Sequence, residues 1–318
     1  MPRAPAGEGR GSPPAHGLPE ALGRTLRRAV PARQIAENLA YINWVVLVGL
    51  GLGTFAAVVV ARERSEAPRG FLAFTALCAA AFAALAWLSD GALPTAATIT
   101  PEAAATSAAA RHVVPDPAID TLRAAGLAAL AVSAVIWAIV VRRGRPRPTL
   151  PAFAGLAGGA VALGAGAYGW GGGIVNGLPL LVQLGVLCAA TGGVFASMIL
   201  GHWYLVTPKL GEQPLVLLSR LLLWVLGLQV VLFVVWQATG AGAGISPFGA
   251  LVGPWALFVW LRLIVGLVFP LIVSWAALQT AKTRSMESAT GLQYINVGSI
   301  AAGTILAAGL YFGAGLLT

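Results

Sequence analysis

The residue with the clearest chemical potential is Arg262, which lies within a long apolar run. That run, residues 251–280, reads LVGPWALFVWLRLIVGLVFPLIVSWAALQT and exceeds the roughly 20 apolar residues that a helix needs to span a bilayer. A charge at the centre of a bilayer costs roughly 2.5–3.5 kcal/mol on insertion scales, so it normally faces a protein interior or a cavity. The long apolar stretches of this chain contain no acidic residue to pair with it. An anionic ligand could supply the missing counter-charge, with Gln229 and Gln237 of the preceding span as neighbouring polar groups.

A second group of polar side chains falls at one end of the last four apolar stretches. Because these residues lie at similar depth although they are far apart in sequence, they predict a polar pocket that opens towards the cytoplasm. Tyr side chains also form belts at membrane interfaces, and Arg side chains reach to headgroups, so a purely structural role is the competing interpretation. The candidates are His202 and Tyr204 of the fifth span, Arg220 of the sixth, and Gln293, Tyr294 and Asn296 of the eighth.

The chain offers little for catalysis or for holding a cofactor. His202 could ligate a metal or haem, but the other two histidines lie in the N-terminal tail and in an outer loop, and haem between helices commonly needs two axial ligands. Met198 precedes His202 by one turn on the same helical face, so the two side chains cannot hold one haem from opposite sides. The predicted spans contain no Asp or Glu, and zinc-protease, nucleophile-elbow, phosphate-loop and dinucleotide motifs are absent from the sequence. The sequence therefore predicts no catalytic residue, no metal and no bound cofactor, which favours a protein that is not an enzyme.

The composition is that of a membrane protein. The chain is 58% hydrophobic and only 10% charged, whereas a soluble domain has roughly 25% charged residues. Its net charge is +9, but the Lys and Arg residues lie mostly at the ends of apolar runs, as in cytoplasmic loops, which argues against nucleic acid as a partner. The two cysteines, Cys78 and Cys188, each lie within an apolar run and form no zinc-binding pattern. The expected main partner is the lipid bilayer.

These patterns predict an all-α fold, a polytopic integral membrane protein with a bundle of about eight transmembrane helices. Residues 1–42 form a basic N-terminal tail, and residues 43–318 form the transmembrane domain. Within the tail, a helical piece near 17–40 is expected to lie along the interface, with Leu22, Leu26 and Ile35 towards lipid. The predicted spans are residues 43–61, 70–88, 121–141, 151–170, 175–205, 214–238, 251–279 and 289–317.

The loops alternate in charge, which predicts the orientation of the chain. Basic residues cluster in loops 62–69 and 142–150, in the fifth-to-sixth connection through Lys209, and in the seventh-to-eighth connection through Lys282 and Arg284, whereas residues 90–120 are acidic. The positive-inside rule makes the basic loops cytoplasmic and places both termini outside the cytoplasm, in a plasma (inner) membrane. The arginine-rich N-terminal tail opposes this assignment, but the rule describes short loops best.

Small residues predict where helices approach closely, because helix packing in lipid depends on side chains that let backbones meet. Pairs with GxxxG spacing include Gly49 and Gly53 in the first span. Pro270 is expected to kink the seventh span and to free the carbonyl of Gly266, one turn beyond Arg262. The longest predicted contact is a stripe at four-residue spacing in the fifth span: Gly185, Ala189, Gly193, Ser197 and Gly201.

Three functions compete on this evidence. The first is a transport or ligand-binding protein for a small anionic or anionic-headed molecule, with a polar cavity towards the cytoplasm. The second is a membrane subunit of a redox or assembly complex, in which His202, Tyr204 and Arg220 contact a quinone or a partner protein. The third is a structural scaffold in which backbone carbonyls and glutamines satisfy Arg262. Transport proteins are common among chains of this kind, which places the first ahead.

Overall fold

A computed structural model of the chain describes residues 31–94, 99, 107, 113–114, 116–144, 149–207, 210–242 and 246–318. These residues contain eight helices that are long and apolar enough to cross a membrane, and no strand. The predicted all-α, multi-pass bundle is therefore confirmed. In chain order the helices are α1 (Leu39–Arg64), α2 (Arg69–Asp90), α3 (Pro117–Arg142), α4 (Thr149–Gly171), α5 (Ile174–Val206), α6 (Gln213–Thr239), α7 (Ala256–Lys282) and α8 (Met286–Ala314).

The helices differ from the predicted spans mainly at their ends, where polar residues still continue the helix. α2 extends to Asp90, and α3 begins at Pro117 after an N-terminal cap in which the Asp116 carboxylate accepts a hydrogen bond from the backbone N–H of Ala118 at 2.9 Å. Proline is favoured at the first helical position because its missing N–H has no helical partner there. α7 begins later than predicted because Gly249–Leu251 form a short 3-10 turn instead.

The connections predicted to be cytoplasmic converge at one end of the bundle. Gln213 donates a hydrogen bond to the carbonyl of Arg64 at 3.1 Å, and Arg284 forms an ion pair with Glu212 at 3.6 Å. The connection after α3 lies at the same end, because Gly144 closely approaches the side chain of Arg69. A Cβ on Gly144 would lie 2.8 Å from Nη1 of Arg69. The fold therefore gathers the basic loops on one face, as the charge alternation requires.

The first described residues lie at the opposite end, beside the end of α8. Residues 31–37 are helical, and Ile35 is half-buried, with its Cγ2 3.2 Å from the position that a Cβ on Gly309 would occupy. Its side chain therefore packs against α8, whereas the sequence interpretation directed it to lipid. The other two residues of that interpretation, Leu22 and Leu26, lie outside the described residues.

The closest helix contact in α5 is on a different face from the predicted stripe. A Cβ on Gly53 of α1 would lie 1.8 Å from the carbonyl oxygen of Cys188, whereas a Cβ on Gly185 would have nothing within 4 Å and one on Gly193 only a Leu222 methyl at 3.9 Å. The stripe prediction was wrong at these two glycines because an α-helix has 3.6 residues per turn. Residues four apart drift by roughly 40° per step, so five of them cannot all face one neighbour.

Two helices contain a π-helical turn, in which the backbone is locally wider than in an α-helix. In α1 this turn spans Gly49–Gly53, the glycine-rich part that meets α5, and in α7 it spans Ile264–Val268, just before Pro270. A proline removes a backbone donor and crowds the preceding turn, so a local widening there relieves the conflict. Turns of this kind are frequent at functional sites.

Candidate functional site

Arg262 is almost completely buried inside the bundle, at 2% exposure. Its Nη2 donates to Oε1 of Gln229 on α6 at 2.6 Å, and its Nη1 donates to the carbonyl of Gly266 at 3.0 Å. The prediction that the Gly266 carbonyl would serve Arg262 is therefore confirmed. The third nitrogen, Nε, is buried and has no hydrogen-bond partner.

No carboxylate balances this charge within the part of the chain that the structure describes. Arg33, Arg123 and Arg284 form ion pairs with carboxylates, whereas both acceptors of Arg262 are neutral. The guanidinium thus has hydrogen bonds on two of its three nitrogens but no counter-charge.

Three neighbouring helices fix the position of the guanidinium. Gln229 is held by its own amide, which donates to the carbonyl of Val186 on α5 at 3.0 Å. On the other side, Nη1 points to where α7 and α8 cross, since a Cβ on Gly303 would lie 2.6 Å from the Cα of Gly266 and 2.9 Å from that nitrogen. Glycine is required at both positions because any side chain would occupy the space of the guanidinium or of the opposing backbone.

A line of buried polar side chains leads along α8 from the basic end of the bundle towards Arg262. Gln293 donates to the hydroxyl of Ser219 on α6 at 3.2 Å, while its own Oε1 has no partner. Asn296 donates to the hydroxyl of Ser274 on α7 at 2.6 Å. The rise of an α-helix puts Gln293 roughly 15 Å from the level of Gly303, so the two polar sites occupy different depths. We call the four side chains Ser219, Ser274, Gln293 and Asn296 the polar file.

The remaining candidates of the sequence analysis do not share this interior. Tyr204 is buried and its hydroxyl donates to the carbonyl of Gly211, a contact that closes the connection between α5 and α6. His202 and Arg220 are exposed on the outside of the chain, and Tyr294 is 51% exposed. Gln237 donates to the carbonyl of Leu317 at 3.3 Å, away from the guanidinium. The structure thus joins Arg262 to Gln229 and buries Gln293 and Asn296 one turn apart on α8, while three candidates lie on the outer surface.

A second buried charged group, which the sequence analysis missed, lies near the ends of α2 and α3. Arg123 is 4% exposed and Asp90 is 7% exposed. Arg123 donates through Nε to Oδ1 of Asp90 at 2.5 Å, and through Nη1 to Asp120 at 2.9 Å. Asp90 also accepts a hydrogen bond from the indole N–H of Trp44 at 2.8 Å. The statement that the spans hold no carboxylate was wrong at Asp90 and Asp120 because both helices extend past the predicted apolar limits.

Aromatic side chains from α1, α4 and α8 surround this ion pair. The guanidinium carbon of Arg123 lies 5.1 Å from the centre of the Trp170 ring, within the range of a cation–π contact. Trp170 packs edge-on against Trp44 at 4.8 Å, and Tyr41 stacks on Phe312 at 4.9 Å. Unlike Arg262, Arg123 has a counter-charge in Asp90. The ion pair therefore links α2 and α3 and needs no anionic ligand to balance it.

The two buried arginines could have been told apart from sequence. α2 and α3 are consecutive, so the end of one and the start of the other lie on the same side of the membrane. Asp90 and Arg123 lie at those two ends. Arg262 lies as far into α7 as Arg123 lies into α3, but no carboxylate lies at a matching depth in α6 or α8.

The described residues contain no group of three or more His, Cys, Asp or Glu side chains that could hold a metal ion. No protein-family model matches the chain. Likewise, no curated protein and no solved structure matches it. Inferences about function therefore depend on the geometry of the chain itself.

Proposed function

We propose that this membrane protein binds, and moves across the bilayer, a small anionic or anionic-headed molecule that is held by Arg262. The observation that carries the proposal is a fully buried guanidinium with neutral acceptors, an unbonded Nε and no carboxylate partner among the described residues. Such a charge is a binding site for an anion that is not part of the chain.

The energetics favour a ligand over a purely structural role. A buried ion without a counter-charge carries a penalty of several kcal/mol even after the surroundings relax. Hydrogen bonds to Gln229 and to the Gly266 carbonyl recover part of that penalty. If packing were its only purpose, a neutral residue of similar length would fill the same space without that penalty. A bound anion both neutralises the charge and supplies an acceptor for Nε.

The polar file provides a route to this site. Its side chains lie between the end where the basic loops gather and the level of Arg262, and Gln293 still has an unpartnered oxygen. If the basic loops face the cytoplasm, as the positive-inside rule proposes, the route opens on the cytoplasmic side. The π-helical turn Ile264–Val268 and Pro270 interrupt α7 beside Arg262, and interrupted helices mark the substrate sites of many transporters.

Substitution of Arg262 tests the proposal directly. Arg262→Gln removes the charge, keeps hydrogen bonding and lowers the insertion penalty, so the protein should fold but should lose the retained anion. Arg262→Lys keeps the charge but cannot make a planar, two-point contact, so it should retain the anion more weakly than the wild type. The measurement is native mass spectrometry of the anions and lipids that remain bound after purification, with a melting curve for each variant.

Retention of the same anions by well-folded Arg262→Gln would reject the proposal. A scaffold would then explain the site, with Gln229 and Gly266 serving only to stabilise the buried arginine. Loss of melting temperature without any change in the retained molecules would point to the same conclusion.

A membrane subunit of a larger complex is the second candidate, and the exposed polar residues favour it. His202 and Arg220 project from the surface of the chain, where a quinone or a partner subunit could accept or donate hydrogen bonds. Purification in a mild detergent distinguishes this function, because a co-purifying cytochrome, quinone or subunit would support it. Loss of that molecule in His202→Ala and Arg220→Ala, with Arg262→Gln unaffected, would assign the activity to the surface.

A further inference from the structure

The guanidinium of Arg262 is satisfied unequally along its edges. Nε and Nη2 form one edge, with two N–H groups pointing in the same direction. Only Nη2 on that edge is bonded, to Oε1 of Gln229 at 2.6 Å, while Nε is buried without a partner. The edge has two parallel donors and one acceptor.

The chemistry of this edge specifies the shape of the group that would complete it. A carboxylate or a phosphate presents two oxygens that pair with two parallel N–H groups of an arginine. A halide ion has no such geometry, and a glutamine side chain offers a single oxygen. Gln229 therefore makes half of the contact that a planar oxyanion would make in full, and it brings no charge.

We infer that Gln229 is a displaceable stand-in for the ligand, and that the ligand carries a carboxylate or phosphate group that replaces Oε1 of Gln229 on the Nε–Nη2 edge of Arg262. This inference rests on the proposed function and specifies its ligand class. Binding breaks one side-chain hydrogen bond between α6 and α7, because Gln229 to Arg262 is the hydrogen bond that it replaces. The amide of Gln229 keeps its bond to the carbonyl of Val186, so its side chain stays tied to α5 while its hydrogen bond to α7 is lost.

Two substitutions at Gln229 should act in opposite directions. Gln229→Glu places a permanent carboxylate beside the guanidinium, so an external oxyanion has to displace a charged group. Gln229→Leu removes the stand-in and leaves the edge unoccupied, so an external oxyanion has no competitor. The matched control is Gln237→Leu, which changes a buried glutamine on the same helix whose amide bonds to Leu317 rather than to Arg262.

The experiment measures the affinity of the full-length protein for acetate, inorganic phosphate and chloride by titration calorimetry, in nanodiscs of neutral lipid. A parallel set of nanodiscs contains phosphatidic acid, which separates a lipid headgroup from a free oxyanion as the source of the ligand. We expect acetate or phosphate, or phosphatidic acid, to bind at least tenfold more tightly than chloride. Gln229→Glu should weaken this binding at least tenfold, Gln229→Leu should strengthen it several-fold, and Gln237→Leu should match the wild type.

The outcomes separate the inference from the function on which it rests. If the wild type binds an oxyanion through Arg262 but both Gln229 variants behave like Gln237→Leu, the stand-in is rejected and the anion site remains. If the two Gln229 variants shift affinity in the same direction, Gln229 is a positioning residue and the stand-in is again rejected. If chloride binds as tightly as the oxyanions, the two-oxygen ligand class is rejected. If no tested anion binds the wild type more tightly than Arg262→Gln, both the function and the inference are rejected.

Discussion

Two adjacent glycines in α5 allow a stringent test of the packing, because the same substitution should have opposite effects at them. A Cβ on Gly192 would lie 2.0 Å from the backbone nitrogen of Thr54 and 2.1 Å from the backbone carbon of Gly53. A Cβ on Gly193 would meet only a methyl group of Leu222, at 3.9 Å. Gly192 therefore faces the backbone of α1, whereas Gly193 faces a gap.

The expected magnitudes follow from these distances. At position 192 the neighbouring atoms are backbone and cannot rotate away, so α1 and α5 must separate, and overpacking of this kind costs about 1–3 kcal/mol or more. At position 193 alanine fits without displacement and gains about 1 kcal/mol over glycine in helix propensity. The propensity gain applies at both positions and cancels in the comparison, so the free energies of unfolding of Gly192→Ala and Gly193→Ala should differ by the overpacking cost of about 1–3 kcal/mol or more, with the first below the wild type.

The assay is reversible unfolding in mixed micelles, with thermal melting in detergent as a second measure. Gly185→Ala is the control, since a Cβ there has nothing within 4 Å, and it should resemble Gly193→Ala. If Gly192→Ala were as stable as Gly193→Ala, α1 and α5 would not approach as closely as described. If Gly193→Ala were less stable than Gly192→Ala, the predicted four-residue stripe would be the closer helix contact.

Two further predictions concern the buried ion pair and the orientation of the chain. Asp90→Asn should lower the free energy of unfolding by about 3–5 kcal/mol because Arg123 stays buried without its main counter-charge. Asp120→Asn should lower it by about 1 kcal/mol or less because that carboxylate is 42% exposed. Similar urea or SDS unfolding midpoints for the two variants would contradict this ranking. The orientation can be tested in a chain whose two native cysteines are replaced by alanine. A cysteine at Gly211 should resist an impermeant thiol reagent in intact cells while one at Ala104 should react, because the first lies among the basic loops and the second in the acidic loop. The reverse labelling pattern would invert the orientation.

The number and type of elements could be predicted from local composition, because each apolar stretch must satisfy its backbone hydrogen bonds internally and therefore forms a helix. The buried position of Arg262 and its bond to the Gly266 carbonyl could also be predicted, because both depend on residues close to it in sequence. The proline at position 270 is local, and the carbonyl that it frees lies within one turn of the arginine. The choice of Gln229 over Gln237 as its partner could not be predicted, since both lie on the same helix and only the rotation and depth of α6 against α7 select one of them.

Contacts between distant helices required the tertiary structure. Sequence spacing alone placed Gly193 in a close helix contact, whereas a Cβ there would meet only a methyl group at 3.9 Å, because the face that a helix presents depends on where its partners sit around it. It also placed His202 and Gln293 at a common depth. It did not show that His202 is exposed on the outside of the bundle while Gln293 is buried inside it.

The sequence by itself determined that the chain is a helical membrane protein with a charge inside its last helices, because hydrophobicity and helical period are local properties. The tertiary structure decided which groups surround that charge and which of its nitrogens stays unbonded. The physical reason is that hydrogen bonds and ion pairs act over a few ångströms. Only the crossing of α6, α7 and α8 fixes those distances, and the open edge of Arg262 exists only at that crossing.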